Sequence, residues 1–456
     1  MHRRGLMGLV AVMAATALGG YGVGVASSGD GARDQAQPVT SSTSATTSTT
    51  AATGSSAKTS ESAAPPRCTP DASLSARGAA PADLAAAADA FVGHPGVSPH
   101  AVSLSVWVDG YGEVLIHQPD RALAPASNQK LYTAIGALAV LGAEARLTTR
   151  VRLASDGDLV IAPGGDPTLA GAGMHSVAAL ASQIHAAGVT DVPGRLLVDE
   201  SRHDGTRRAN GWQDWQIPAY TGPLSAFMVD RNRWRADSAF VADPALANAE
   251  LLRDELAARG VTIGGPTAYA GTPASGQVVA SLESARVQEL VTTMLRNSDN
   301  QIADLLLREV GVAGGEAGSA VGAARATDAA LTPLCLTLDG SVDDGSGLSR
   351  ANARGAREWR VLLQAVRDEP WWPHLADALP VAARTGTLAG RFGGTSAADN
   401  VRAKTGTIIG GTALSGYGTT AGGRAFVFSV VVNGPGAEAA AGAVDGLVAA
   451  IAAHRD

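Results

Sequence analysis

Ser127 and Lys130 stand three positions apart in the stretch "LAPASNQKLYTA". One helical turn separates them, so a hydroxyl and an amine can lie on the same helix face. An amine in that place can take the hydroxyl's proton and make it a nucleophile, provided the amine gives up its own charge. The same spacing recurs at Ser55 and Lys58, in a stretch with little to bury, so the pair alone decides nothing. Lysine itself is scarce. Among 35 Lys+Arg only Lys58, Lys130 and Lys404 are lysines. Arginine stays protonated, whereas a buried lysine can lose its proton, so the lysines that survive are candidates for chemistry.

Two further clusters carry suitable residue types. "NSDNQIADLLLREV" puts Ser298 and Asn300 at the mouth of a helical run, and "VRAKTGTIIGG" puts Lys404, Thr405, Gly406 and Thr407 at the start of a strand. Taken singly they read as a helix cap and a strand edge. Ser-x-x-Lys, Ser-Asp-Asn and Lys-Thr-Gly in this order are together the motif set of penicillin-binding proteins and serine β-lactamases. Ser298 lies 171 positions after Ser127, too far for a compact β-lactamase but suited to an inserted domain.

The chain resembles the D-alanyl-D-alanine carboxypeptidase/endopeptidase family, the class C low-molecular-weight penicillin-binding proteins of peptidase family S13. Besides the three motifs, the likeness rests on "GGDPTL" (Gly164 to Leu169), "YTGPLSAFMVDRN" (Tyr220 to Asn232), "DDGSGLSRAN" (Asp343 to Asn352) and "GTLAGRF" (Gly386 to Phe392). It implies Ser127 as nucleophile and Lys130 as its base, made basic by burial and by a positive Lys404 nearby. Ser298 would relay a proton to the leaving amine, and Asn300 would hold substrate and Lys130. Lys404, Thr405 and Thr407 would take a terminal carboxylate, with Gly406 allowing close approach. The backbone N–H groups of Ser127 and Thr407 would form the oxyanion hole. Arg350 would grip a carboxylate on the stem peptide. Arg384, in "VAARTGTLAGRF", stands where the family usually has an acidic residue, and that Thr-Gly-Thr is read as a structural loop and not a second site. The resemblance calls for no cofactor, and the sequence has no clustered His/Cys metal ligands. The substrates implied are peptidoglycan stem peptides, with β-lactams as covalent inhibitors. The alternatives are a serine β-lactamase and a non-catalytic penicillin-binding sensor or scaffold. Against the first, no Glu between Lys130 and Ser298 is followed four positions on by Asn, the class A pattern for holding the hydrolytic water.

The elements that must position these residues follow from patterning. "AVSLSVWVDGYGEVLIH" alternates and turns at "DGYG", a hairpin. "KLYTAIGALAVLG" is a buried helix opening at Lys130, and "KTGTIIGGTALSGYGTT" and "GRAFVFSVVVNGP" are strands before a closing helix. Strands at both ends with helices between them predict one α/β (α+β) transpeptidase-like fold: an antiparallel sheet flanked by helices. Residues 147–284 run in short Gly-rich β-like stretches, read as one or two inserted β-rich subdomains within a catalytic domain of 68–146 and 285–456. Residues 1–27 have a basic tip and an apolar stretch, an export signal either cleaved or kept as a membrane anchor. Residues 28–67 are a Ser/Thr/Ala/Pro-rich tether. The chain would therefore work outside the cytoplasm, where Cys68 and Cys335 either form a disulfide or stay as two thiols. A net charge of -7 and no basic block give no reason to expect nucleic acid.

Overall fold

Strand Ala425–Asn433 reads AFVFSVVVN, and its two faces serve two cores. Phe426, Phe428, Val430 and Val432 pack against the first and last helices, Ala82–Val92 and Ala441–Ala453. Val427 and Val431 point the other way, into a cluster built on the helices that follow Ser127, Arg286, Asp299 and Gly355. Successive strand side chains alternate faces, and each buried Phe or Val is worth about 1.5–3 kcal/mol, so a strand apolar on both faces belongs in the middle of a sheet.

It does lie there. The central sheet is antiparallel, in the order Arg402–Ile408, Gly411–Thr419, Ala425–Asn433, Val102–Val108, Gly112–His117. Both chain ends thus contribute strands, as the patterning predicts. Helices Gln129–Gly136, Val287–Asn297, Asn300–Ala313 and Ala356–Ala365 cover the second face. Even its serines are used: Ser103 Oγ accepts from Ala356 N at 2.8 Å, satisfying a donor at the start of a helix. Arg402–Ile408 is an edge strand, so every second peptide group on it faces away from the sheet.

The structure is a computed structural model and describes residues 74, 76–232, 241–336 and 338–455. The expected export segment, the tether and Cys68 lie outside them. Among the described residues no helix is long and apolar enough to cross a membrane.

Within 147–284 the structure is more helical than its sequence pattern. A second sheet runs in the order Thr267–Tyr269, Leu196–Val198, Leu159–Ala162, Arg146–Leu153, Gln277–Arg286. Its first three strands are parallel neighbours. Parallel strands need crossovers, and helices Val177–Ala186 and Pro244–Ala257 lie in those connections. Leu180, Ile184, Leu252 and Leu256 fill the core beneath the sheet.

Candidate active site

The turn that carries Ser127 is clamped before any chemistry is considered. Ala126–Asn128 is a single 3-10 turn leading directly into Gln129–Gly136. Asn433, at the end of a central strand, accepts from Ala124 N at 2.9 Å and donates to Ala124 O at 3.1 Å. Asn128 donates to Ser415 Oγ at 2.6 Å, and Ser415 to Ser429 Oγ at 2.8 Å, tying the turn to the middle of the sheet. Two glycines fit around it. A Cβ on Gly406 would lie 2.7 Å from Pro125 O, and one on Gly347 (φ +82) would lie 1.8 Å from Ala126 O. The close approach expected of Gly406 is therefore to the Ser127 turn itself.

This clamping leaves Ser127 half-buried over a fully buried Lys130. Lys130 Nζ lies 3.0 Å from Ser127 Oγ, 2.7 Å from Asn300 Oδ1 and 2.5 Å from Ser346 O. The Asn300 amide is fixed in orientation, because its Nδ2 donates to Tyr220 O at 2.9 Å. Asn300 Oδ1 and Ser346 O can only accept, so they take two of the amine's hydrogens. The third direction meets Ser127. In the ammonium that direction is an N–H; in the amine it is a lone pair aimed at the hydroxyl proton.

A second hydroxyl–amine pair faces the first. Ser298 sits in left-handed backbone (φ 56) between helices Val287–Asn297 and Asn300–Ala313, and Asp299 caps the second helix. Lys404 Nζ donates to Ser298 Oγ at 3.0 Å and to Thr405 O at 2.7 Å. Both amines are buried, while both hydroxyls reach the surface.

Burial lowers Lys130 to about 8, against the upward pull of Asp304, Asp344 and Asp299. Lys404 is held well below the ordinary lysine range by burial and then by the Lys130 charge. The repulsion expected to act on Lys130 thus falls on Lys404. The reason is local: Lys130 has three carboxylates to hold its proton, and Lys404 has none acting on it.

Asp299 belongs to the Ser-Asp-Asn motif, but the roles of Asp304 and Asp344 went unseen in the sequence. Asp304 lies one turn beyond Asn300, accepts from Gly345 N at 2.8 Å, and is pushed up to about 7 by burial and by Asp344. Asp344 gathers Trp212 Nε1 (2.7 Å), Gly347 N (2.6 Å), Ser349 N (2.8 Å) and Asn352 Nδ2 (2.8 Å), fixing the loop that presents Ser346 O. The glycine-rich "DDGSG" was the available signal, since a buried acidic residue among turn glycines needs backbone donors.

The remaining expected residues are spread out. Ser127, Lys130, Ser298, Asn300 and Lys404 come together through the contacts above, and Thr405 and Gly406 adjoin them on the Lys404 strand. Thr407 is exposed on the same strand. Arg350 is exposed near its far end, donating to Ile409 O, with no ion pair among the described residues. Arg384 pairs with Asp399 at the surface. Cys335 is disulfide-bonded, and Cys68 lies outside the described residues.

Comparison with known proteins is consistent along the chain. A model of the D-Ala-D-Ala carboxypeptidase 3 (S13) family matches residues 86–239 and 235–454. The chain is 30% identical over 452 residues to the D-alanyl-D-alanine carboxypeptidase of an Actinomadura species, covering 80% of this chain and 83% of that one. It is 32% identical over 336 residues to carboxypeptidase DacB of Mycolicibacterium smegmatis, covering 69% and 72%. Penicillin binding protein 4 from Haemophilus influenzae has the same fold, with a TM-score of 0.67 at 22% identity over 76% of this chain and 93% of that one.

Proposed function

The chain belongs to the D-Ala-D-Ala carboxypeptidase 3 (S13) family, and on that premise we propose how its residues work as a serine-type D-Ala-D-Ala carboxypeptidase/endopeptidase. It acts on peptidoglycan stem peptides through an acyl-serine intermediate that β-lactams trap, and it therefore acts outside the cytoplasm. Residues 1–27 bring the chain there, by cleavage or as an anchor.

The Lys130 fork carries this assignment, because two of its hydrogens are committed and its third position meets Ser127. Ser127 Oγ attacks the carbonyl carbon of the penultimate D-Ala as its proton passes to Lys130 Nζ. The oxyanion lies between the N–H groups of Ser127 and Thr407, and each such donor is worth about 3 kcal/mol of transition-state stabilisation. The C–N bond breaks, and the departing amine takes through Ser298 the proton that Lys130 received, which leaves Lys130 a neutral amine again. Water then attacks the ester, giving its proton to Lys130, which returns it to Ser127 Oγ as the C–O bond breaks.

Lys404, Thr405 and Thr407 receive the terminal carboxylate. That anion supplies what Lys404 lacks, so binding favours a protonated Lys404, and its charge in turn pushes the proton off Lys130. Arg350, exposed and without an acidic partner among the described residues, takes a carboxylate of the stem peptide. Arg350→Ala should slow peptides bearing that carboxylate more than those without it.

Labelling with a fluorescent penicillin should give one stable adduct, mapped to Ser127, alongside turnover of D-Ala-D-Ala peptides. Fast turnover of penicillin without peptide hydrolysis would make the protein a β-lactamase. An adduct that never forms, or forms on another serine, would remove Ser127.

A further inference from the structure

The loop Val381–Phe392 looks like a copy of the lysine motif with arginine in front, yet its placement gives it a task. It is closed on itself, since Ala383 N donates to Leu388 O at 3.0 Å and to Arg391 O at 2.9 Å. Thr385 N donates to Val381 O at 3.0 Å while Thr385 Oγ1 accepts from Val381 N at 3.0 Å. Three anchors hold the loop in place. Leu388 is buried in the core, Arg391 pairs with Asp445 of the last helix, and Gly386 (φ +57) sits so close to Arg296 O that a Cβ would lie 2.6 Å away. What this closed loop presents is Thr387, exposed, with its Oγ1 2.7 Å from Thr405 Oγ1. Thr405 is in turn 8% exposed, and its carbonyl takes a hydrogen from Lys404.

Each hydroxyl has one hydrogen, and the contact between the two uses only one of them. One spare O–H therefore remains on the pair, whose Thr387 member is exposed and whose Thr405 member directly follows the buried Lys404. A carboxylate has two oxygens and several lone pairs to accept it. We propose that Thr387 is a specificity-determining residue, its hydroxyl held against Thr405 to complete the pocket that reads the substrate's terminal carboxylate. This rests on the assignment of that carboxylate to Lys404 and Thr405. An accidental contact of Thr387 with the buried Thr405 would not call for a loop locked at Gly386 and Leu388.

The test compares kcat/KM for a peptide ending in D-Ala-D-Ala with that for the same peptide as its C-terminal amide. It uses wild type, Thr387→Val, Thr387→Ala and Thr387→Ser, each first checked by thermal unfolding. Wild type should prefer the free acid. Thr387→Val and Thr387→Ala should lose roughly tenfold to a hundredfold on the acid, the scale of a hydrogen bond to a charged group, and distinctly less on the amide. Thr387→Ser should retain the preference. Equal losses on acid and amide, or no loss on either, would overturn the role of Thr387 while leaving the carboxylate site intact. A wild type that treats acid and amide alike would overturn the carboxylate assignment itself, and the proposal with it.

Discussion

Lys130 has one position of its amine free to change, and that gives its two possible roles different signatures. Arginine keeps the charge but cannot release a proton. If Lys130 is the base, Lys130→Arg should lower acylation by penicillin and by peptide roughly 10²–10⁴-fold while unfolding near the wild-type temperature. A folded variant acylating within a few-fold of wild type would leave lysine only an anchoring role. The pH profile follows from the same atom. With Lys130 lowered to about 8, the amine fraction grows as pH rises, so acylation should climb through about pH 8 and level off above it. Asp304 pulls that value up. Asp304→Asn removes the negative charge, the ammonium loses support, and the rising limb should move to lower pH by roughly one to three units. An unmoved limb would show that the carboxylate does not act on the base. The five motif side chains were legible because scarce lysines and short spacings mark them. Asp304 was not, because it acts across elements from a position with no spacing to declare it, and Asp344 stood in "DDGSG" without its role being readable there. Thr387 was hidden because its Thr-Gly-Thr reads as a structural loop, and its contact with Thr405 joins residues 18 positions apart.

At the scale of elements, the nucleophile turn stands between a strand and a loop, with a glycine on each side. Gly347 is the more demanding, because its positive φ disfavours any side chain and its Cβ would strike Ala126 O. Gly347→Ala should therefore carry the left-handed backbone cost of about 1–2 kcal/mol and also displace Ser127. Gly423 is left-handed too (φ +89), with open space around it. Gly423→Ala should lower the unfolding temperature modestly and leave penicillin labelling as it was, whereas Gly347→Ala should lower both. Equal labelling in the two variants would mean that the turn tolerates the push. The hairpin was legible from alternation and its "DGYG" turn, and Ala425–Asn433 from its run of aromatic and β-branched residues. The stretch "KTGTIIGGTALSGYGTT", read as one strand, is two, Arg402–Ile408 and Gly411–Thr419, because Ile409 and Gly410 turn the chain back on itself. The parallel strands of 147–284 were not legible. Strands as short as Leu196–Val198 have no period to read, and helix Pro244–Ala257 carries Asn, Glu, Arg and Asp among its apolar residues.

At the scale of the whole molecule, several long-range ties join distant parts of the chain. Buried Glu309, on the Asn300 helix, is gripped by Arg202 and by His203 at 2.7 Å, both from the stretch between Lys130 and Ser298. The chain has two cysteines, and Cys335 is disulfide-bonded. We propose Cys68 as its partner, a bridge of a kind typically worth about 2–4 kcal/mol. Alkylating the denatured, unreduced protein should add nothing, and reduction should expose two thiols; two thiols reacting without reduction would remove the bridge. His454 meets Asp83 at 2.7 Å, so the two ends of the described chain close on each other. The central sheet makes the same closure, since Val102–Val108 bonds directly to Ala425–Asn433. Synthesis runs in one direction along this chain. The serine hydroxyl is made early, but the strand that carries Lys404 and the strand that holds the sheet together are made near the end. A chain stopped short of Lys404 would carry Ser127 and Ser298 without the second amine and without the strands that complete the sheet. The order of the strands therefore sets how much of the chain must exist before the site can assemble.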